Sequence, residues 1–216
     1  MKKWNFFTIG SGREPITTLA ELDDFLAREA SLIAQKTIVD YCHMKTRLPL
    51  NELMREKAFT EAFDAARGAS YAAVLADLVA AVEAHLRGPA GPLRGALPAA
   101  LARHYVECLQ RFAGAAPRDD PAPAGAEMTR RLAQLQLVPP KSSTEIALTC
   151  GNAVFDLLPI HPRLRTHDRE PVVEAVRFLF MSRCQRLGER LAAAALIEML
   201  LTPRRDLGSA PGSASA

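Results

Sequence analysis

The fold is indicated most clearly by residues 18–46, which read TLAELDDFLAREASLIAQKTIVDYCHMKT. Thr18-Leu19-Ala20-Glu21 is a capping box, in which the threonine hydroxyl and the glutamate carboxylate accept hydrogen bonds from free amides of a first helical turn. We therefore predict a helix that begins after Thr18 and ends near Thr46. At 100° per residue its apolar side chains form two stripes. One stripe contains Leu19, Leu22, Leu26, Ala30, Ile33, Met44 and Leu48, and the other contains Phe25, Leu32, Val39 and Cys42.

Two apolar faces on this helix allow two interpretations. The simpler one is a central helix that packs against other helices on both sides. The alternative is that the second face, with Phe25, Leu32 and Val39, binds a partner protein. The first interpretation is the default, because most apolar helix faces are buried within the same domain.

The rest of the chain continues the helical pattern. The further predicted helices cover residues 51–86, 93–112, 126–137, 143–158 and 168–201, with Gly68 as a candidate break in the first of them. Residues 114–125, GAAPRDDPAPAG, have no apolar periodicity and predict an exposed linker. The expected organisation is an N-terminal segment (1–17), one helical domain (18–202) and a disordered tail (203–216). The predicted fold is all-α, a single-domain bundle of about five to seven helices.

The composition narrows the class of protein. The chain has 216 residues, 49% of them hydrophobic and only 6% aromatic, as expected of a closely packed helical domain. Its net charge of +3 is too small to indicate a nucleic-acid-binding protein. The four cysteines are widely spaced and favour reduced thiols in the cytoplasm. No signal peptide or spanning helix is predicted, so the expected location is the cytoplasm, with the inner face of the membrane as an alternative.

Common enzyme signatures do not occur in the sequence. It contains no GxSxG elbow, no GxxxxGK[ST] phosphate loop and no HExxH zinc helix. A standard hydrolase or nucleotide-dependent enzyme is therefore disfavoured, and the prediction includes no cofactor and no metal.

Two pairs of side chains have a spacing that could hold a metal ion. Asp40 and His43 lie one helical turn apart, as in the carboxylate and histidine pairs of di-iron bundles. His104 and Cys108, four residues apart, could ligate zinc. The favoured alternative for both pairs is a structural role, through hydrogen bonds at the surface or in the core.

Residues 161–168, HPRLRTHD, contain the densest group of ionisable side chains. Histidines move protons near neutral pH, and Asp168 could orient His167, so His161, His167 and Asp168 are candidate catalytic residues. The favoured alternative is a rigid turn between helices in which Asp168 caps the next helix.

Two further segments could contact a partner. Arg183, Arg186 and Arg190 share one face of the last helix and could bind an acidic protein, an anionic lipid or a phosphate backbone. At the N-terminus, Lys2 and Lys3 stand beside Trp4, Phe6 and Phe7, a mixture found at membrane surfaces. Each segment also has a simpler interpretation, as a solvated helix face and as aromatic side chains that dock on the bundle.

Two segments resemble a known family. LDDFLAREAS at 22–31 with AQKT at 34–37, and LPIHP at 158–162 with His167-Asp168, are similar to an uncharacterised all-helical family of alphaproteobacteria. The resemblance implies a bacterial cytoplasmic protein and no mechanism. Some members are labelled esterases, but this chain lacks a nucleophile elbow and that activity is not carried over.

The leading functional prediction is a non-catalytic interaction protein, such as an adaptor, an assembly factor or an accessory subunit of a larger complex. A protein partner is expected, peripheral membrane contact or a homo-oligomer is an alternative, and nucleic acid is disfavoured. The second hypothesis is an enzyme with a dispersed His/Asp or metal site. The third is a nucleic-acid-binding regulator that uses the C-terminal arginines, whose affinity would fall steeply with salt.

Overall fold

The chain folds into helices that pack around one long central helix. The structure is a computed structural model, in which residues 14–111 and 122–202 are described. These residues contain eight α-helices, one of them a single turn, and the all-α prediction is confirmed. Their bounds are α1 Leu19–Thr46, α2 Leu50–Leu53, α3 Lys57–Ala90, α4 Leu97–Arg111, α5 Ala122–Leu135, α6 Ser143–Leu157, α7 Arg169–Arg190 and α8 Ala193–Leu201. The predicted tail, 203–216, lies outside the described residues.

Helix α1 has the predicted capping box and is covered on two sides. The backbone N–H of Glu21 donates to Oγ1 of Thr18 at 3.2 Å, and the N–H of Thr18 donates to Oε2 of Glu21 at 3.0 Å. The helix packs against α3 on one side and α7 on another. Phe25, at 2% exposure, and Cys42, from the second stripe, are therefore buried in the bundle.

Helix α3 is the centre of the fold. It is 34 residues long, about 50 Å at 1.5 Å per residue, and contacts α1, α4, α6, α7 and α8. A helix surrounded in this way needs apolar residues on every side, and residues 74–82 are all buried. The segment Lys57–Arg111 includes a stretch long and apolar enough to cross a membrane, but 72% of it is buried within the bundle, as in the core helix of a soluble protein.

The predicted helix over 51–86 is divided, although not at Gly68. The break lies between Leu53 and Lys57, where Thr60 Oγ1 donates to the carbonyl oxygens of Met54 at 3.0 Å and Glu56 at 3.2 Å. The Thr60 hydroxyl thus provides a donor for the Met54 carbonyl at the interruption, while the Glu56 carbonyl also accepts the backbone N–H of Thr60 at 3.0 Å. Gly68 lies buried inside an uninterrupted α3.

The prediction of one continuous last helix is wrong, because residue 16 separates α7 from α8. The N–H of Ile16 donates to the carbonyl oxygen of Arg190 at 2.7 Å, and the N–H of Ala192 donates to the carbonyl oxygen of Ile16 at 3.0 Å. These bonds hold Leu191 in an extended conformation. Ile16 is fully buried, so the end of the predicted N-terminal segment is part of the core.

The predicted linker overlaps a helix at its C-terminal end. Helix α5 begins at Ala122, so residues 122–125 are helical, and Pro123 lies in the first turn, where the missing N–H costs no hydrogen bond. Residues 112–121 lie outside the described part of the chain.

Candidate functional site

A groove lies between α3, α6 and α7, and the segment between α5 and α6 contributes to its lining. Its volume is about 710 Å³, within the range of roughly 300–1,000 Å³ that is usual for ligand sites. The lining consists of Ala81, Ala84, His85, Pro140, Lys141, Ser142, Ser143, Ile146, Phe178, Met181, Ser182, Cys184 and Gln185.

The rim of the groove is unusually apolar for a surface. Phe178 is 75% exposed and Met181 is 41% exposed, and both lie on the side of α7 that does not face the core. Leu137 and Val138, also exposed, directly precede the Pro139-Pro140 corner of the groove. Grouped exposed apolar side chains mark interaction sites more often than isolated ones.

The polar groups of the groove carry little charge. Desolvation lowers the pKa of the His85 imidazole, so the ring is neutral at pH 7. Lys141 is the formally charged residue in the lining, which includes no carboxylate. The N-terminus of α6 is no anion site, because Oε2 of Glu145 accepts hydrogen bonds from the N–H of Ser142 at 2.9 Å and from its hydroxyl at 2.9 Å. A ligand here would meet a mostly apolar surface with Lys141 at its edge, where the lysine also interacts electrostatically with the Glu145 carboxylate.

Buried ion pairs hold the walls of the groove in place. On α3, Arg87 donates to the carboxylate of Glu83 and, through Nη1, to the carbonyl oxygen of Val138 at 2.7 Å. Asp77, also on α3, pairs with Arg131 and accepts a hydrogen bond from the backbone N–H of Cys150 at 2.7 Å. Burial raises the pKa of Asp77, and the Arg131 guanidinium opposes that rise. These contacts fix α6 and the 138–141 segment against α3.

Gly188 of α7 faces the His85 side chain of α3. A Cβ at this position would lie 3.0 Å from Cε1 of His85, which is tighter than ordinary van der Waals contact. The glycine therefore leaves room for the His85 imidazole in its present position.

A cluster of ionisable side chains that does not line the groove lies between α1 and α4. Nδ1 of His104 is 3.1 Å from Oδ1 of Asp23 and 3.6 Å from Oε2 of Glu107. Nη2 of Arg111 lies 3.5 Å from the other oxygen of Asp23. The Sγ of Cys108, which the spacing offered as a second zinc ligand beside His104, lies 3.9 Å from the carbonyl oxygen of Asp23. His104 is thus grouped with two carboxylates.

The Asp40 and His43 pair lies on an exposed face of α1. Asp40 forms an ion pair with Lys36 at 2.8 Å, and Nδ1 of His43 lies 3.2 Å from the carbonyl oxygen of Leu48. Both side chains thus have partners in ordinary surface contacts.

The turn after α6 does not bring its ionisable groups together. His161 accepts from the N–H of Arg163 at 3.2 Å, while His167 is exposed. Asp168 precedes α7 but does not cap it, because its carboxylate accepts from the Tyr41 hydroxyl at 2.7 Å and pairs with Lys45 at 2.6 Å. The hydrogen bonds from Lys45 and Tyr41 lower the pKa of Asp168, whereas burial and then the Asp168 carboxylate raise the pKa of Tyr41. The cluster ties α7 to α1.

Two of the three candidate partner-binding arginines point into the bundle. Nε of Arg183 lies 3.3 Å from Oε2 of the buried Glu29. Arg190 donates through Nε to the carbonyl oxygen of Glu14 at 2.8 Å, and its guanidinium covers the Phe25 ring at 5.4 Å. Arg186 is exposed. Two members of this candidate patch are therefore engaged in contacts with α1 and residue 14, whereas Arg186 lies at the surface.

The other candidate partner residues are buried, half-buried or outside the described part of the chain. Phe25 is a core residue and is unavailable to a partner, while Leu32 and Val39 are half-buried. Val39 packs against the smaller core cluster around Tyr41 and Phe63. Trp4, Phe6 and Phe7 lie outside the described residues.

The cysteines are poor nucleophiles. All four are buried and unpaired, and burial raises the pKa of Cys42 to about 11 and of Cys108 and Cys184 to about 12. The pKa of Cys150 is raised as well. Each side chain is therefore a neutral thiol at pH 7, whereas thiol chemistry needs the thiolate.

Sequence reasoning did not identify the groove residues. Phe178 and Met181 lie off the core stripe of α7 formed by Val176, Phe180, Cys184 and Leu187, and the same helical projection could have found them. The opposite wall, with His85 and Lys141, comes from distant parts of the chain.

No family model matches this chain, and no match was found among curated proteins or solved structures.

Proposed function

We propose that this protein is a non-catalytic interaction protein that binds an amphipathic helix of a protein partner in the groove between α3, α6 and α7. The observation that carries the proposal is Phe178, a large aromatic side chain left 75% exposed at the rim of the cavity. Complete burial of such a side chain contributes about 1.5–3 kcal/mol. Aromatic residues and methionine are enriched at protein interfaces, and Met181 stands beside Phe178 in the lining.

The shape and charge of the groove favour a particular ligand. Helices that bind in grooves present apolar side chains at positions i, i+3 or i+4, and i+7. The groove offers apolar contacts on three helices and Lys141 at its edge, with no carboxylate in the lining. We infer a partner helix whose apolar stripe is flanked by an acidic residue that faces Lys141.

A binding role fits the rest of the molecule better than catalysis does. The candidate catalytic residues His161, His167 and Asp168 are separated or used in contacts with α1, and the thiols are neutral. In this proposal the protein is an adaptor, assembly factor or accessory subunit of a bacterial complex, and it works in the cytoplasm or at the inner face of the membrane.

Selection of peptides by the whole protein tests this function. A displayed library of 18-residue amphipathic helices is selected on the wild-type chain alone, and the enriched peptides are then measured against the wild type and the Phe178→Glu variant. We expect enriched peptides with an apolar stripe and an adjacent Asp or Glu. Their affinity for Phe178→Glu should fall at least tenfold, because a charge would be placed against the apolar stripe.

The matched control is Leu164→Glu, which adds the same charge at another exposed apolar residue, 65% exposed and outside the groove lining. Its affinity for the selected peptides should equal that of the wild type. Failure to enrich any peptide, or equal affinity of the selected peptides for Phe178→Glu, would contradict the proposed function.

A further inference from the structure

We propose that Asp23, His104 and Glu107 bind a divalent transition-metal ion, with Zn²⁺ the best fit, that joins α1 to α4. The proposal concerns the cluster between these helices and does not depend on the groove. His104 and Glu107 lie one turn apart on α4, and Asp23 faces them from α1. One imidazole and two carboxylates are a donor set that zinc accepts.

The spacing of the three ligand atoms suits a metal ion. Nδ1 of His104 is 3.1 Å from Oδ1 of Asp23 and 3.6 Å from Oε2 of Glu107, and all three atoms lie within 4.8 Å of one another. Zinc bonds of about 2.0–2.2 Å in a tetrahedral arrangement place ligand atoms about 3.4 Å apart. Small side-chain rotations therefore bring all three atoms to bonding distance of one ion.

The surroundings of the cluster support a bound cation. Arg111 lies against Oδ2 of Asp23 at 3.5 Å, which orients the carboxylate and directs Oδ1 toward His104. Second contacts of this kind commonly hold ligating carboxylates in position. Asp23 and His104 are buried, so water competes poorly for their ligand atoms.

The cluster is also accessible from one side. The Glu107 side chain is 31% exposed and lines a smaller cavity of about 330 Å³ between α4 and α5. An ion can therefore enter past Glu107, and three protein ligands leave a fourth position for water, as in open zinc sites.

Calorimetric titration of the full chain with Zn²⁺, after treatment with EDTA and desalting, tests the site. We expect one Zn²⁺ per chain for the wild type and a rise in the melting temperature when zinc is added. His104→Gln and Glu107→Gln should each weaken the affinity at least tenfold. Circular dichroism checks that each variant is folded, and Glu107→Gln is the safer variant because its side chain is partly exposed.

The matched control is His43→Gln, which removes a histidine three residues after a carboxylate on the exposed face of α1. This variant should bind zinc as the wild type does. No stoichiometric binding by the wild type, or the same affinity in Glu107→Gln, would overturn the site. Loss of binding in His43→Gln with retention in Glu107→Gln would place the ion elsewhere and equally overturn it.

Discussion

Two faces of α7 differ in a way that their sequence does not suggest. One face carries Arg183 and Arg190, yet these cations contact Glu29, Phe25 and the carbonyl oxygen of Glu14. The other face carries Phe178 and Met181, which remain exposed at the groove. The charged face is therefore structural, and the apolar face is the one left available for binding.

The largest expected difference in the free energy of unfolding is between alanine variants of two phenylalanines. Phe25→Ala should lower the free energy of unfolding by about 3–5 kcal/mol, because Phe25 is buried and its removal leaves a cavity. Phe178→Ala should change the free energy by less than about 0.5 kcal/mol, because its ring is exposed. Urea unfolding of both variants measures the difference. If both variants lost a similar free energy of unfolding, Phe178 would be a residue that stabilises the fold and not one that is exposed to bind a partner.

A smaller difference in stability is expected between glutamate variants of two arginines. Arg183→Glu should cost about 3 kcal/mol of stability, because it removes the contact with the buried Glu29 and places a second carboxylate there. Arg186→Glu, on the exposed surface, should stay within about 0.5 kcal/mol of the wild type. Chemical denaturation with the same midpoint for both variants would contradict the structural role assigned to Arg183.

The starts of α1 and α6 were predictable because their signals are local. Thr18 and Glu21 form the expected capping box, and α6 begins at Ser143 as predicted, with Ser142 and Glu145 forming a second capping box. These hydrogen bonds join residues three positions apart, so a short window of sequence contains all the information needed.

The remaining features depend on residues that are distant in the chain. The break between α7 and α8 is made by Ile16, and the His104 cluster needs Asp23, 81 residues away. His104 and Glu107 share a helical turn and could have been paired from their spacing, but Asp23 could not. The groove likewise combines α3, α6 and α7, so its shape follows from packing and not from any local motif.

Photo-crosslinking in the cells that produce the protein can show whether the Phe178 face of α7 is the binding face. A photoreactive amino acid is placed at position 178 in one variant and at position 186 in another. We predict that position 178 crosslinks to an acidic amphipathic segment of another protein and that position 186 does not. Crosslinks at 186 alone, or crosslinks from 178 only to other copies of this chain, would contradict the account.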